Sequence, residues 1–182
     1  MIIIYPESQI EQGSEKWLEL RKNFLTGTDA IKLLRGHTRA EILADKQKES
    51  SFKGNYWTRR GHTLEEESKN IYSEVYQPIH NAGFIINDKY PNIGYSPDGL
   101  VDDNGLIECK SFGEKHHKEV VKSLSQEIIS QVQWGFFITE REWCDLLLYN
   151  PDIDDVNLAY VIKRLYPIPE IQDKFKKLLV EV

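Results

Sequence analysis

No stretch of this chain leaves its fold less freedom than the one from Tyr95 to Lys110. Leu100-Val101 and Leu106 to Lys110 read as short strands, and between them lies Asp102-Asp103-Asn104-Gly105. Asn-Gly readily supplies the positive φ angles of a tight reversal, so the segment is expected to close as a β-hairpin. Side chains alternate faces along a strand, which puts Glu108 and Lys110 on one side and Cys109 on the other. The hairpin carries Asp98 back beside them. Pro97 cannot donate to a sheet ladder, so it should mark where the preceding strand ends or bends, leaving Asp98 to face a cleft.

Carboxylates gathered beside an amine have a specific use. They repel one another and tend to hold protons unless a cation sits among them. Mg²⁺ prefers hard oxygen ligands, and two such ions ~3.5–4 Å apart can stabilise both the attacking and the leaving oxygens of a phosphodiester. Lys110 can orient or activate the attacking water and offset charge on the pentacovalent phosphorus. Its protonation state stays open, because carboxylate neighbours and metal neighbours push it in opposite directions.

Around the hairpin the pattern alternates between helix and strand. Ser14 is expected to cap a helix carrying Trp17, Leu18 and Leu20, with Arg21 near its end. Thr26-Gly27-Thr28-Asp29 opens a second short helix closed by Gly36, and Thr38 with Glu41 forms a capping-box pattern for a third. Trp57, Leu64, Ile71, Tyr72 and Val75 recur at helical spacing, which predicts the longest helix over about Tyr56–Tyr76. Strands are expected at Ala82–Ile86, Ile93–Tyr95, Trp143–Tyr149 and Leu158–Arg164, and helices at Ser125–Thr139 and from Pro169. Helices, hairpin, helix, strands and helix in that order predict a mixed sheet flanked by helices, an α/β fold.

Bulk properties bound the function. At 182 residues the chain fits one domain, able to bury roughly 70% of its unfolded surface without disulfides. Two cysteines, neither in a CxxC pair, suit a reducing compartment and argue against a zinc or iron–sulfur module. No apolar run reaches the ~18 residues of a membrane span, and the N-terminal run is too short for a signal peptide, so a cytoplasmic protein is expected. The net charge of −6 is awkward for a nucleic-acid enzyme, although bound cations would offset the acidic residues of a metal site.

Pro97-Asp98 followed by Glu108-x-Lys110 resembles the signature of the PD-(D/E)XK nuclease superfamily. Three further blocks narrow the resemblance to phage lambda exonuclease and the YqaJ-type viral recombinases. Gly61 to Glu65 is similar to that family's G-x-x-x-E helix start. Ser130 to Trp134 resembles its Q-V-Q helix, and Trp17 to Thr28 its N-terminal W-x-x-L-R…T-A-S block, with Gly27-Thr28 in place of Ala-Ser. The blocks run in family order from about Gln12 to Tyr149.

The resemblance implies a restriction-endonuclease-like fold in a single nuclease domain over residues 1–182. It implies Glu65, the first of an acidic triplet with Glu66 and Glu67, as third carboxylate beside Asp98 and Glu108. The main-chain carbonyl of Ile107 is expected as a further metal ligand. Lys110 and Gln131 complete the catalytic set around Mg²⁺, for which Mn²⁺ could substitute, with two ions per site. Arg21 and Thr28 are implied as the pocket for a DNA 5′-phosphate. A helix N-terminus at Thr28 would favour an anion on physical grounds, although a plain capping role for Thr26 or Thr28 stays open.

The implied activity is 5′ to 3′ degradation of linear double-stranded DNA in phage or prophage recombination, by a homotrimer working with a single-strand annealing protein. A restriction-like or repair endonuclease of the same fold, and a DNA-binding protein without activity, are the alternatives. Arg59 and Arg60 are candidate DNA-backbone contacts or surface ion-pair partners. His116 and His117, in the basic stretch from Lys115 to Lys118, are candidates for contact with DNA phosphates or the displaced strand, with an exposed loop as the plainer reading. Trp57, Trp134 and Trp143 are read as packing residues, and Cys109 as a small buried hydrophobe.

Overall fold

The computed structural model describes residues 1–48 and 56–180, the side chains of 56–58 excepted, so Trp57 lies outside the described side chains. The early capping signals act as expected. Ser14 Oγ accepts from the Trp17 N–H at 3.2 Å and starts α1 (Glu15–Lys22). A 3₁₀ turn (Gly27–Asp29) leads into α2 (Ala30–Leu34), which stops where Gly36 takes φ +97°. Thr38 and Glu41 exchange hydrogen bonds of 2.8 and 3.2 Å at the start of α3 (Arg39–Lys48). The long helix, α4, spans Tyr56–Val75.

Among the described residues seven strands form two sheets rather than one. β1 (Ile2–Tyr5), β2 (Phe84–Asn87) and β3 (Gly94–Tyr95) make an antiparallel three-stranded sheet. β4 (Gly99–Val101), β5 (Gly105–Lys110), β6 (Trp143–Tyr149) and β7 (Tyr160–Leu165) make a mixed four-stranded sheet in that order. β5 and β6 run parallel, the other pairs of named strands antiparallel, and the crossover between β5 and β6 carries α5 (Glu114–Lys122) and α6 (Gln126–Thr139). A short helix, α7 (Val156–Ala159), precedes β7, and α8 (Pro169–Val180) follows it. The two sheets are joined through Ser96-Pro97-Asp98, where the proline interrupts the strand as its chemistry requires.

Three of these features correct the sequence reading. The N-terminal run Ile2–Tyr5 is a strand paired with β2. Lys115–Lys118 is helical, not a loop, and His117 is fully buried, its Nε2 at 2.7 Å from the Leu158 carbonyl oxygen. The hairpin forms, but its positive φ belongs to Asp102, at 45°, and not to Asn104 or Gly105. Gly105 is needed for another reason: a Cβ there would lie 2.3 Å from Cζ2 of Trp143.

The main core lies between the sheets and helices α2, α6 and α8, around Leu25, Leu33, Ile85, Ile93, Trp134, Phe137 and Phe175. Alternation along β5 and β6 sends Ile107 and Leu147 to the face covered by Tyr72 of α4. Leu146 and Leu148 go to the opposite face, against Val120 of α5 and Ile128 of α6. Register pairs Glu108 with Leu146 and Lys110 with Leu148, so both charged side chains leave the sheet on the α5–α6 face. Among the described residues no helix is long and apolar enough to cross a membrane.

Candidate active site

Glu108 is the centre of the site. It is 1% exposed, and three side chains from three elements hold its carboxylate. Lys110 Nζ, two residues along β5, donates to Oε1 at 2.7 Å. Gln131 Nε2, from α6, donates to the same oxygen at 2.5 Å. Tyr95, at the end of β3, donates its hydroxyl to Oε2 at 2.9 Å. Sequence reasoning placed the first two but missed Tyr95, which reads locally as one more apolar strand residue.

Asp98 stands beside them. β4 begins at Gly99, whose partner on β5 is Ile107, so the strand beyond Ile107 has no antiparallel neighbour. The Cys109 N–H uses that freedom and donates to Asp98 Oδ2 at 2.6 Å. Burial pushes the Asp98 pKa well up, and the charges of Glu108 and Glu65 push it further, against Lys110 and the Cys109 N–H. Glu65, on α4, is half-buried while Glu66 and Glu67 are exposed. Its pKa is raised, first by burial and also by Glu108, with Lys69, His62 and Lys110 opposing. Burial would lower the Lys110 pKa, but Glu108 and Asp98 outweigh it and hold it up, so the group is an ammonium in this arrangement.

These residues suit a hard divalent cation in donor type and in charge. All three acids offer carboxylate oxygens, and the burial and like charge that push the Asp98 pKa up are what a bound cation would offset. The fit stops short of a finished cage. Among the described residues no three His, Cys, Asp or Glu side chains stand close enough, as placed, to hold an ion.

A second constellation lies on α1 and the 3₁₀ turn. Arg21 stacks over Trp17, with its guanidinium carbon 4.2 Å from the ring centroid, and its Nη2 donates to Thr26 Oγ1 at 3.4 Å. Thr28, exposed, has its hydroxyl 3.3 Å from the same oxygen. Thr26 is the capping residue: its N–H and hydroxyl donate to Asp29 at 2.9 and 3.0 Å. Arg21 and Thr28 therefore meet at Thr26, and capping falls to Thr26 rather than Thr28. Two further residues join them that sequence reasoning missed. Lys46 is buried against Asp29 and donates to Thr26 Oγ1 at 3.3 Å. Ser96 accepts from the Trp17 indole N–H at 2.8 Å, and its place directly before Pro97-Asp98 was the available signal.

Arg60 pairs with Asp152 at 2.5 Å, and Trp134 is fully buried, while Trp143 is half-buried under Arg164. Cys109 is half-buried, and burial raises its thiol pKa well above the usual range, with Asp98 adding to it.

The ordered series from Trp17 to Trp134 is that of a known family, whose model, the YqaJ-like viral recombinase domain, matches residues 16–142. The chain belongs to the YqaJ-like viral recombinase family. The fold of this YqaJ-like chain is that of the alkaline exonucleases, of the PD-(D/E)XK type. It is similar to the crystal structure of the alkaline exonuclease LHK-Exo from Laribacter hongkongensis, with TM-score 0.74 and 26% identity over 92% of each chain. LHK-Exo in complex with dAMP superposes with TM-score 0.79 at 25% identity, over 91% of this chain and 89% of that one. A phage-related exonuclease from Haemophilus somnus 129PT, at 14% identity and TM-score 0.56 over 86% of this chain and 90% of that one, shares the fold. No curated protein sequence matches the chain. Family and relatives together support a nuclease associated with recombination.

Proposed function

We propose that this YqaJ-like protein is a divalent-cation-dependent exonuclease, a single nuclease domain that degrades linear double-stranded DNA from 5′ to 3′ in phage or prophage recombination. One observation carries the reading. Glu108 is buried and gripped by Lys110, Gln131 and Tyr95, and the hairpin sets Asp98 beside it, on the Cys109 N–H, as a group of oxygen donors suited to a hard divalent cation.

Glu65, Asp98 and Glu108 would hold Mg²⁺, with Mn²⁺ as a substitute and two ions as the expected number. The register suggests a change in the main-chain donor. Ile107 is paired with Gly99 inside the sheet, whereas Cys109 lies past the end of β4 and turns its N–H to Asp98. Within a strand a residue's N–H and C=O point to the same side, so the carbonyl of Cys109 is better placed than that of Ile107. When bound, the cation supplies Lewis-acid stabilisation of the attacking and leaving oxygens. The chain's own residues do the rest. Lys110 presents an ammonium donor to the attacking water and the phosphorane oxygens, and Gln131 fixes the carboxylate from above.

Arg21, Thr28 and Ser96 form the 5′-phosphate pocket on this reading. Arg21 offers a planar fork for the phosphate, and the Trp17 ring and its bond to Ser96 tie the pocket to the residue two positions before Asp98. The dAMP held by LHK-Exo is a deoxynucleoside monophosphate, the kind of product such a cut releases. By family resemblance a homotrimer and a single-strand annealing partner accompany the activity.

The test is incubation with Mg²⁺ and linear duplexes bearing or lacking a 5′-phosphate, with closed circular DNA alongside. Strong preference for phosphorylated ends and an intact circle are expected. Nicking of the circle would move the protein to the endonuclease reading, and unchanged activity in Glu108→Ala would end the enzyme assignment.

A further inference from the structure

One of the three grips on Glu108 belongs to a residue that the nuclease motif does not contain. Tyr95 is 1% exposed, and its hydroxyl reaches Glu108 through a slot walled by two glycines. A Cβ at Gly135, on α6, would lie 2.9 Å from Tyr95 Cζ and 3.1 Å from the hydroxyl oxygen. A Cβ at Gly27, in the 3₁₀ turn, would lie 2.9 Å from Gln131 Cγ and 3.5 Å from Tyr95 Cε2. Interiors pack too densely for the ring to share space with an added carbon at Gly135, so the tyrosine and that missing side chain belong together, while at Gly27 the added carbon would crowd Gln131 and only touch the ring.

The hydrogen-bond inventory of the carboxylate gives Tyr95 its use. An ionised carboxylate offers about four lone-pair directions, two on each oxygen. Lys110 and Gln131 take two on Oε1, and Tyr95 takes one on Oε2. The direction left over is on Oε2, the oxygen the tyrosine holds. We propose that Tyr95 is a positioning residue, whose hydroxyl fixes the rotation of the Glu108 carboxylate so that one defined Oε2 lone pair is presented to a divalent cation. This rests on the metal-dependent reading above and adds to it a residue specific to the space that Gly135 leaves. Burial, with Glu108 and Cys144 beside it, pushes the phenol pKa well up, so the hydroxyl stays a donor under working conditions.

Tyr95→Phe keeps the ring and removes only the hydroxyl. Calorimetric titration of Mn²⁺ into the metal-free protein, beside cleavage rate against Mn²⁺ concentration, reads the consequence. Binding is expected to weaken by about tenfold to a hundredfold, the range for losing a partner of a metal ligand. The metal activation midpoint should move with it, while KM for DNA stays within about twofold. Equal Mn²⁺ affinity in the variant and the native protein would overturn the proposal. Should Tyr95→Phe not fold, Gly135→Ala displaces the same hydroxyl and should weaken Mn²⁺ similarly; an unchanged affinity there overturns it too. Glu108→Gln separates the two levels. If it leaves Mn²⁺ binding unchanged, the metal-site reading falls; if it weakens binding and Tyr95→Phe does not, Tyr95 alone loses its role.

Discussion

The surroundings of Asp98 oppose its charged form. Burial, Glu108 and Glu65 raise its pKa well above the ordinary carboxylate value, and Lys110 and the Cys109 N–H only partly oppose them. An acid whose folded pKa exceeds its unfolded value of about 3.9 prefers its proton in the native state. Without divalent cations the native protein is therefore weakened at neutral pH, and it recovers stability as pH falls through the raised pKa toward the unfolded one. Asp98→Asn is expected to end hydrolysis and yet raise the melting temperature of the cation-free protein by about 2–4 °C, the shift that ~1 kcal/mol produces at this size. Calorimetry in EDTA at pH 7 and pH 5 checks this: the gap between variant and native protein should narrow at the lower pH, and no gap at pH 7 would refute it. The residues of this cluster differ in how visible they are in the sequence. Glu108 and Lys110 are legible because a two-residue spacing on a strand fixes their common face, and Asp98 because the hairpin must return it. Tyr95 is not, since its contact depends on space left by Gly135, on an element far away along the chain.

The elements that support the cluster are tied by buried polar staples. Asp145, on β6, accepts two bonds of 2.8 Å from Arg164 on β7 and one of 2.7 Å from the Tyr72 hydroxyl on α4. Arg164 is sandwiched from the other side by Trp143, 3.9 Å from the ring centroid. Burial and the Asp145 carboxylate push the Tyr72 phenol up to about 12, so the bond persists through the alkaline range. Asp145→Ala should cost about 2–3 kcal/mol in urea unfolding, less than the ~3–5 of a fully buried pair because the Arg164 side chain is 45% exposed. A loss below about 1 kcal/mol would show that the staple is dispensable. Helix starts at Ser14 and Thr38 were legible from caps, which are local chemistry. β1 was not, because Ile2–Tyr5 is apolar in any context and becomes a strand only by pairing with β2, far along the chain. The helix at Glu114–Lys122 hid behind its lysines, whose exposed positions mask the buried stripe of His117 and Val120.

Across the whole molecule, charge sets the terms of binding. A chain of net charge −6 presents buried and half-buried carboxylates where a polyanion would have to approach. Affinity for DNA should therefore depend on divalent cations even when nothing is cut. With Ca²⁺, which takes the same oxygen ligands without supporting fast hydrolysis, binding of a 5′-phosphorylated duplex is expected to be at least about tenfold tighter than in EDTA. Fluorescence anisotropy checks it, and equal affinity would mean that the basic residues alone hold the substrate. The seam between the two sheets has a mechanical corollary. Ser96, tied to Trp17 and through its ring to Arg21, and Asp98, tied to Cys109, are separated by a single proline of restricted backbone freedom. On the proposed reading, the grip on a strand end and the blade that cuts it are two jaws of one short covalent caliper. The stride from one cut to the next would then be gauged by bond lengths, with no need for a hinge.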